Sequence, residues 1–125
     1  MISFLIDADS AIFSMVDKMS PVNRRIAALS PGDIAMSAIT FSEIALGTQL
    51  QKPPPREVLD AFIRAIPILP YGDAAAREYA RLPFKSARFD RLLAAHALSL
   101  GATVVTNNEA DFADIPGLRL ENWTL

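Results

Sequence analysis

Acidic side chains recur in this sequence at places that a folded chain can bring together. Asp7 and Asp9 follow one apolar run, Glu43 lies near the head of a helix-like stretch, Asp90 heads another, and Asn108 with Asp111 follows a further apolar run. Carboxylates crowded at one place repel one another unless a cation joins them. An all-oxygen set of this kind suits Mg²⁺ or Mn²⁺, which take a few carboxylates and keep waters for substrate phosphates. The matching reaction is phosphodiester hydrolysis, with an activated water attacking phosphorus and the ion stabilising the charge that develops. The chain has no cysteine, which removes thiolate zinc sites, disulfides and cysteine nucleophiles.

The elements that must position these groups follow from the alternation of short apolar runs with amphipathic stretches, the pattern of parallel βαβ units. Residues Ile2 to Ile6 read as a buried first strand ending at Asp7, and Ser10 to Met19 as a helix. Ser20 caps a second helix with Pro21 at its first position, running to about Leu29 and stopped by Pro31-Gly32. Asp33 to Ser37 reads as the second strand, with Thr40 opening the next helix. Pro53-Pro54-Pro55 breaks the chain before a helix from Arg56 to Ala65. A short strand over Ile66 to Leu69, a helix over Asp73 to Leu82 and a polar connection from Pro83 to Arg88 follow. A helix from Phe89 to Leu100 closes on Gly101, before a strand over Thr103 to Val105, a single turn over Glu109 to Phe112 and an edge strand over Leu118 to Leu120. These elements predict one domain over residues 1–125, a three-layer α/β/α sandwich on a central parallel sheet. Ligands of such sheets bind beyond the carboxyl ends of the strands, which is where Asp7, Glu43, Asn108 and the head of the Asp90 helix fall.

Composition narrows the function classes. Of 125 residues, 51% are hydrophobic and 21% charged, which fits a packed core and excludes disorder. No apolar run approaches the roughly 18 residues of a membrane span, and the start MISFLIDADS lacks the basic region of a signal peptide, so a cytoplasmic protein is expected. The formal net charge is −2. A protein that holds nucleic acid by neutralising phosphates should be basic, so a bound cation, a local patch or a basic partner would have to supply the positive charge.

Four segments carry a resemblance. Phe4-Leu5-Ile6-Asp7-Ala8-Asp9 looks like the opening strand and first acid of PIN-domain nucleases. Ser37-Ala38-Ile39-Thr40-Phe41-Ser42-Glu43-Ile44 with Gly47 resembles their second acidic motif, and Phe89-Asp90-Arg91-Leu92-Leu93-Ala94-Ala95-His96-Ala97 the third. Val104-Val105-Thr106-Asn107-Asn108, with Asp111-Phe112 and Ile115-Pro116-Gly117-Leu118, is similar to the ending of VapC-type toxins. The resemblance spans essentially the whole chain, in the family's order and spacing. It implies a metal-dependent endoribonuclease, with Asp7, Glu43 and Asp90 as catalytic and metal-holding residues. In that picture Asp7 and Asp90 hold Mg²⁺ or Mn²⁺ directly, while Glu43 acts through a metal water or orients the attacking water as base. Asn108 stands where many members carry an acid, and Asp9 where many carry Asn; with Asp111 they form a surrounding shell or supply a fourth ligand. Lys85, Arg88 and Arg91 flank Asp90 and are the expected RNA contacts. The resemblance also implies a VapB-type antitoxin as partner, and a homodimer within a larger toxin–antitoxin assembly.

Each residue also has a plainer role. Asp7 and Asp9 are good helix-cap types, Asp90 suits a helix N-terminal dipole, and Thr40-Phe41-Ser42-Glu43 fits a capping box. His96 shares a helical face with Leu92 and Leu100, which suggests packing or a structural hydrogen bond. Arg24, Arg25, Lys85, Arg88 and Arg91 read as solvated faces, and Trp123 as a packing anchor. Two other functions compete. Asp7-Ala8-Asp9 after a strand also resembles a haloacid-dehalogenase-like phosphatase, with Asp7 as nucleophile and Asp9 as general acid; Ala11 and the short chain depart from that pattern. A non-catalytic PIN-like binding module is the other. A response-regulator receiver fits less well, since Thr106-Asn107-Asn108 stands where a lysine is expected.

Overall fold

Short apolar strands that end in a cap residue leave little room for loops, and the chain turns from strand to helix almost without interruption. The computed structural model describes residues 1–83 and 88–125. Strand β1 (Phe4–Ile6) lies at the centre of the sheet, paired in parallel with β2 (Ile34–Ser37) on one side and β4 (Thr103–Val105) on the other. β3 (Ile68–Leu69) extends the sheet beyond β2, and β5 (Leu120–Glu121) beyond β4, giving the order β3-β2-β1-β4-β5 with every pair parallel. The chain first builds outward from β1 to β3, then returns to the other side of β1. The order therefore reverses between β1 and β4, and the crevice beyond their carboxyl ends is the natural ligand site of such a sheet.

Side chains alternate across the strands, and each face has its own core. Ile6, Ile34, Met36 and Val105 pack with Ala11 of α1 (Ala8–Val16), Val22 of α2 (Pro21–Ala27), Ile44 of α3 (Ala38–Gln49) and Leu59 of α4 (Arg56–Ala65). Leu5, Ala35 and Val104 point the other way, against Leu93, Ala94 and Ala97 of α6 (Arg88–Leu100) and against Phe112 of the single 3-10 turn Glu109–Phe112. Helix α5 (Asp73–Arg81) packs beside α6. The α/β/α layering expected from the sequence is the observed architecture. Among the described residues, no helix is long and apolar enough to cross a membrane.

Several boundaries differ from expectation, and three of them have a clear local reason. Helix α1 begins at Ala8 rather than Ser10, because Asp7 caps it by accepting from the Ser10 backbone N–H at 2.9 Å. Helix α3 begins at Ala38 rather than after Thr40: the Oγ of Ser37, the last residue of β2, accepts from Ile39 N–H at 3.1 Å and takes the cap position. The final strand is Leu120–Glu121 rather than Leu118–Leu120, since Gly117 turns at φ +77° before the chain pairs with Val104 and Val105.

Candidate active site

Asp7 sits at the sheet's switch point. Its backbone N–H donates to Val105 O at 2.9 Å, tying the end of β1 to the end of β4, and its carbonyl accepts from Ala11 N–H in α1. One carboxylate oxygen is occupied by the helix cap. The capping role expected of Asp7 is thus formed. Burial pushes the Asp7 carboxyl above its usual range, with the charge of Asp9 adding to it; the Thr106 side chain and the Ser10 backbone N–H pull the other way. The buried Ser10 hydroxyl also lowers it by proximity, without forming a hydrogen bond of standard geometry.

Because α3 starts at Ala38, Glu43 is the sixth residue of the helix and lies in its second turn. The capping-box geometry expected from Thr40-Phe41-Ser42-Glu43 is not formed. Glu43 is half-buried, and its carboxyl is pushed up from 4.5 to about 7, first by burial and then by the charges of Asp90, Asp7 and Asp9. Asp90 stands in the first turn of α6, whose N-terminus lies at the same edge of the sheet because the helix runs back toward the start of β4. Burial raises the Asp90 carboxyl too, with Asp111, Asp7 and Asp9 adding to the effect and the adjacent Arg91 opposing it. Asp7, Glu43 and Asp90 thus lie close enough at this edge of the sheet for their charges to be felt, as do Asp9 and Asp111. Asn108 is exposed at this edge, its N–H bonded to Thr106 Oγ1 at 3.0 Å.

The donor set fits a hard divalent cation: oxygen-only, acidic, and raised in pKa first by burial and then by neighbouring like charges. Among the described residues, no group of three acids or histidines is drawn in closely enough to ligate an ion by itself. That is compatible with Mg²⁺ or Mn²⁺, which are commonly held through one or two carboxylates with water filling the remaining positions.

Other expectations sort plainly. Arg91 is not an exposed RNA contact: it is 2% exposed, and its guanidinium holds both carboxylate oxygens of Asp114 at 2.9 and 2.8 Å. The reason is tertiary, since the turn after β4 brings Asp114 under the first turn of α6. Lys85 lies outside the described residues, as does the side chain of Arg88. His96 is buried, sharing a 2.8 Å hydrogen bond between Nδ1 and Ser37 Oγ and packing edge-on against Tyr71, and burial lowers its pKa. Trp123 is 1% exposed; it packs against Phe4, donates to Glu121 at 2.9 Å and carries Arg25 over its ring. Arg25 also pairs with Glu121. Reading from sequence missed Thr106, buried beside Asp7, though its position directly after β4 was a usable signal. It also missed Asp114, whose importance lies in a partner 23 residues away.

The model for the PIN domain family matches residues 8–118, beginning just after Asp7. The chain is 32% identical over 133 residues to the tRNA(fMet)-specific endonuclease VapC of Shigella flexneri, covering 99% of this chain and all of that one. Among solved structures, DNA-bound VapBC from Salmonella typhimurium superimposes with a TM-score of 0.83 at 30% identity, covering 98% of this chain and 99% of that one. VapBC2 from Rickettsia felis, bound to a promoter DNA fragment, gives 0.84 at 26% identity over the same shares. These likenesses, and Asp9 lying exposed in the first turn of α1, do not favour the phosphatase reading. A cleft of mutually perturbed acids at a parallel-sheet switch point and a match over nearly the whole chain lead to one assignment: the chain belongs to the PIN-domain family and, within it, to the VapC proteins.

Proposed function

We propose that this protein is the ribonuclease toxin of a VapBC-type toxin–antitoxin pair, cutting RNA phosphodiester bonds at the acid cleft. The observation that carries the reading is the convergence of Asp7, Glu43 and Asp90, each raised by burial and by its neighbours' charge, at the carboxyl edge of β1 and β4. Buried like charges are costly, and their retention in a cleft points to function.

Asp7 and Asp90, fixed by the end of β1 and the first turn of α6, are the groups that would hold Mg²⁺ or Mn²⁺. When bound, the ion would neutralise the cleft and the charge that develops on the phosphate. Glu43, with its carboxyl pushed up to about 7, is part-protonated near neutral pH and suited to take the proton of the attacking water. Asp9 and Asp111 add negative charge around the cleft, and the Asn108 side chain stands at its edge. Supporting the partner half of the reading, the Salmonella and Rickettsia structures are VapBC complexes. A VapB-type antitoxin is therefore the expected partner, in an assembly built on a toxin homodimer. The tRNA(fMet) named for the Shigella relative is the first substrate to test.

The test is incubation of purified, antitoxin-free protein with total cellular RNA and with tRNA(fMet), with Mg²⁺, with Mn²⁺ and with chelator, beside an Asp7→Asn control. The expected result is discrete cleavage that needs metal and is absent from the control. Cleavage of equal strength in chelator, or in Asp7→Asn, would overturn the mechanism. No cleavage of any RNA by folded protein would favour a binding module.

A further inference from the structure

An acidic chain that acts on RNA needs a local source of positive charge, and Arg91 does not supply it. The surface beside the acid cleft holds two depressions that meet. One, about 280 Å³, runs between α1 and α3, where Asp9 and Glu43 line it together with Lys52 and Pro53. The other, about 530 Å³, is also lined by Lys52 and Pro53 and continues to Gln49, Gln51 and Arg56, with Glu57 the one acid among its lining residues. Lys52 thus stands at the junction of an acidic and a basic hollow. Lys52 and Arg56 are exposed, and neither forms an ion pair among the described residues. Arg25, Arg77, Arg81 and Arg91 each hold a carboxylate instead. The backbone around them is pinned: Thr48 Oγ1 donates to Pro54 O at 2.8 Å, Lys52 N–H donates to Gly47 O at 2.8 Å, and Pro54 is buried. Two cations without an ion pair among the described residues, Lys52 on the fixed loop and Arg56 at the head of α4, form a preorganised seat for anions next to the acids.

We infer that this second depression holds the RNA strand next to the phosphodiester that is cut. Lys52 and Arg56 take successive backbone phosphates, and Gln49 and Gln51, each carrying both donors and acceptors, read the bases that lie over them. The inference rests on the ribonuclease reading and adds to it where the strand lies and which residues select it.

The test uses antitoxin-free Asp7→Asn protein, which binds without cutting, and a short labelled single-stranded RNA followed by fluorescence anisotropy across a salt series. Lys52→Ala and Arg56→Ala are each expected to weaken binding about five- to tenfold and to lower the salt slope by about 0.7, the value for one lost phosphate contact on a single strand. Arg64→Ala removes the same charge from α4 but lines neither depression, and should change neither quantity. In the cutting-competent background, Lys52→Ala should raise KM and leave kcat unchanged. Unchanged affinity and slope in both variants, with cleavage by the parent intact, would overturn the inference and leave the ribonuclease standing. Loss of binding in the variants, with a parent that cuts no RNA, would keep the groove and remove the nuclease. Variants that bind RNA normally but no longer pair with the antitoxin would overturn the inference by assigning the groove to the protein partner.

Discussion

Two polar clusters flank the start of α6 and treat buried charge in opposite ways. Around Asp90, carboxylates from the end of β1, α3 and α6 feel one another's charge and every resolved shift among them is upward. One residue further on, Arg91 is as deeply buried as the core, yet Asp114 holds it with two hydrogen bonds. Ser37 and His96 on the same side are likewise satisfied by each other. In one cluster the buried charge has its counter-charge within the chain, with Nε and Nη1 of Arg91 left without a hydrogen-bond partner among the described residues; in the other the carboxyls raise one another. Local inconsistency that the fold tolerates is where function is expected, and local consistency is where stability is made.

The largest break in that contrast is Asp7→Asn. Asn keeps the helix cap, so the fold should survive with a Tm equal to or above that of the parent, while RNA cleavage falls by at least about a thousandfold, on the order of 4 kcal/mol in barrier. Asp7→Ala, losing the cap too, should cost a further ~1 kcal/mol of stability. Equal activity in Asp7→Asn and parent would sink the acid-cleft mechanism.

The satisfied cluster should respond in the reverse sense. Asp114→Ala strands the buried Arg91 and should cost about 2–3 kcal/mol in denaturant unfolding, toward the low end for a broken buried pair because Asp114 is 38% exposed. Arg91→Met, which removes the charge as well, should be much milder. A cost for Asp114→Ala below that of Arg91→Met would show that the pair is not what secures α6.

Glu43 sharpens the comparison through pH. Its carboxyl is raised in the folded protein from 4.5 to about 7, so the folded state binds more protons than the unfolded one between those values. The sign is therefore destabilising: stability is highest below about 4.5 and falls as pH rises through about 7. At about 1.4 kcal/mol for each pH unit, cut roughly in half by solvent screening because the group is half-buried, the loss is about 1.8 kcal/mol. Glu43→Gln should flatten that part of the Tm–pH profile. Mn²⁺ should raise Tm more at pH 8 than at pH 5.5, since the ligands must be deprotonated to bind it. An equal Tm gain at both pH values would argue against a carboxylate site.

The smallest effect on cleavage is expected of Ser37→Ala, which removes the α3 cap and the partner of His96 Nδ1. It should lower stability by about 1–2 kcal/mol and leave metal-dependent cleavage nearly intact.

Much of this was legible before the structure. Helix α4, strand β4 and the 3-10 turn fall where punctuation by Pro53-Pro54-Pro55, Gly101 and the apolar run Thr103 to Val105 places them. These are local decisions, made by residues that touch their sequence neighbours. Asp7, Glu43 and Asp90 could be nominated because strand ends and helix heads are readable and because the four motifs keep the family's order. The failures share one cause. Thr40 was an acceptable cap on local grounds, but Ser37 was an equally good cap one turn earlier. Arg91 reads as a solvated cation because it belongs to a basic group beside Asp90, while its partner Asp114 is supplied from beyond β4.

The sequence by itself determined the elements, their alternation into parallel βαβ units and the identity of the acids, because strand pairing faces, caps and breakers act over a few residues. Only the tertiary structure decided that the sheet reverses between β1 and β4, that Glu43 feels the charge of Asp90 rather than closing its own helix cap, and that Arg91 is buried against Asp114 instead of exposed. Burial and Coulomb interaction depend on distance in space, and residues far apart in the chain acquire that distance only when the sheet is assembled.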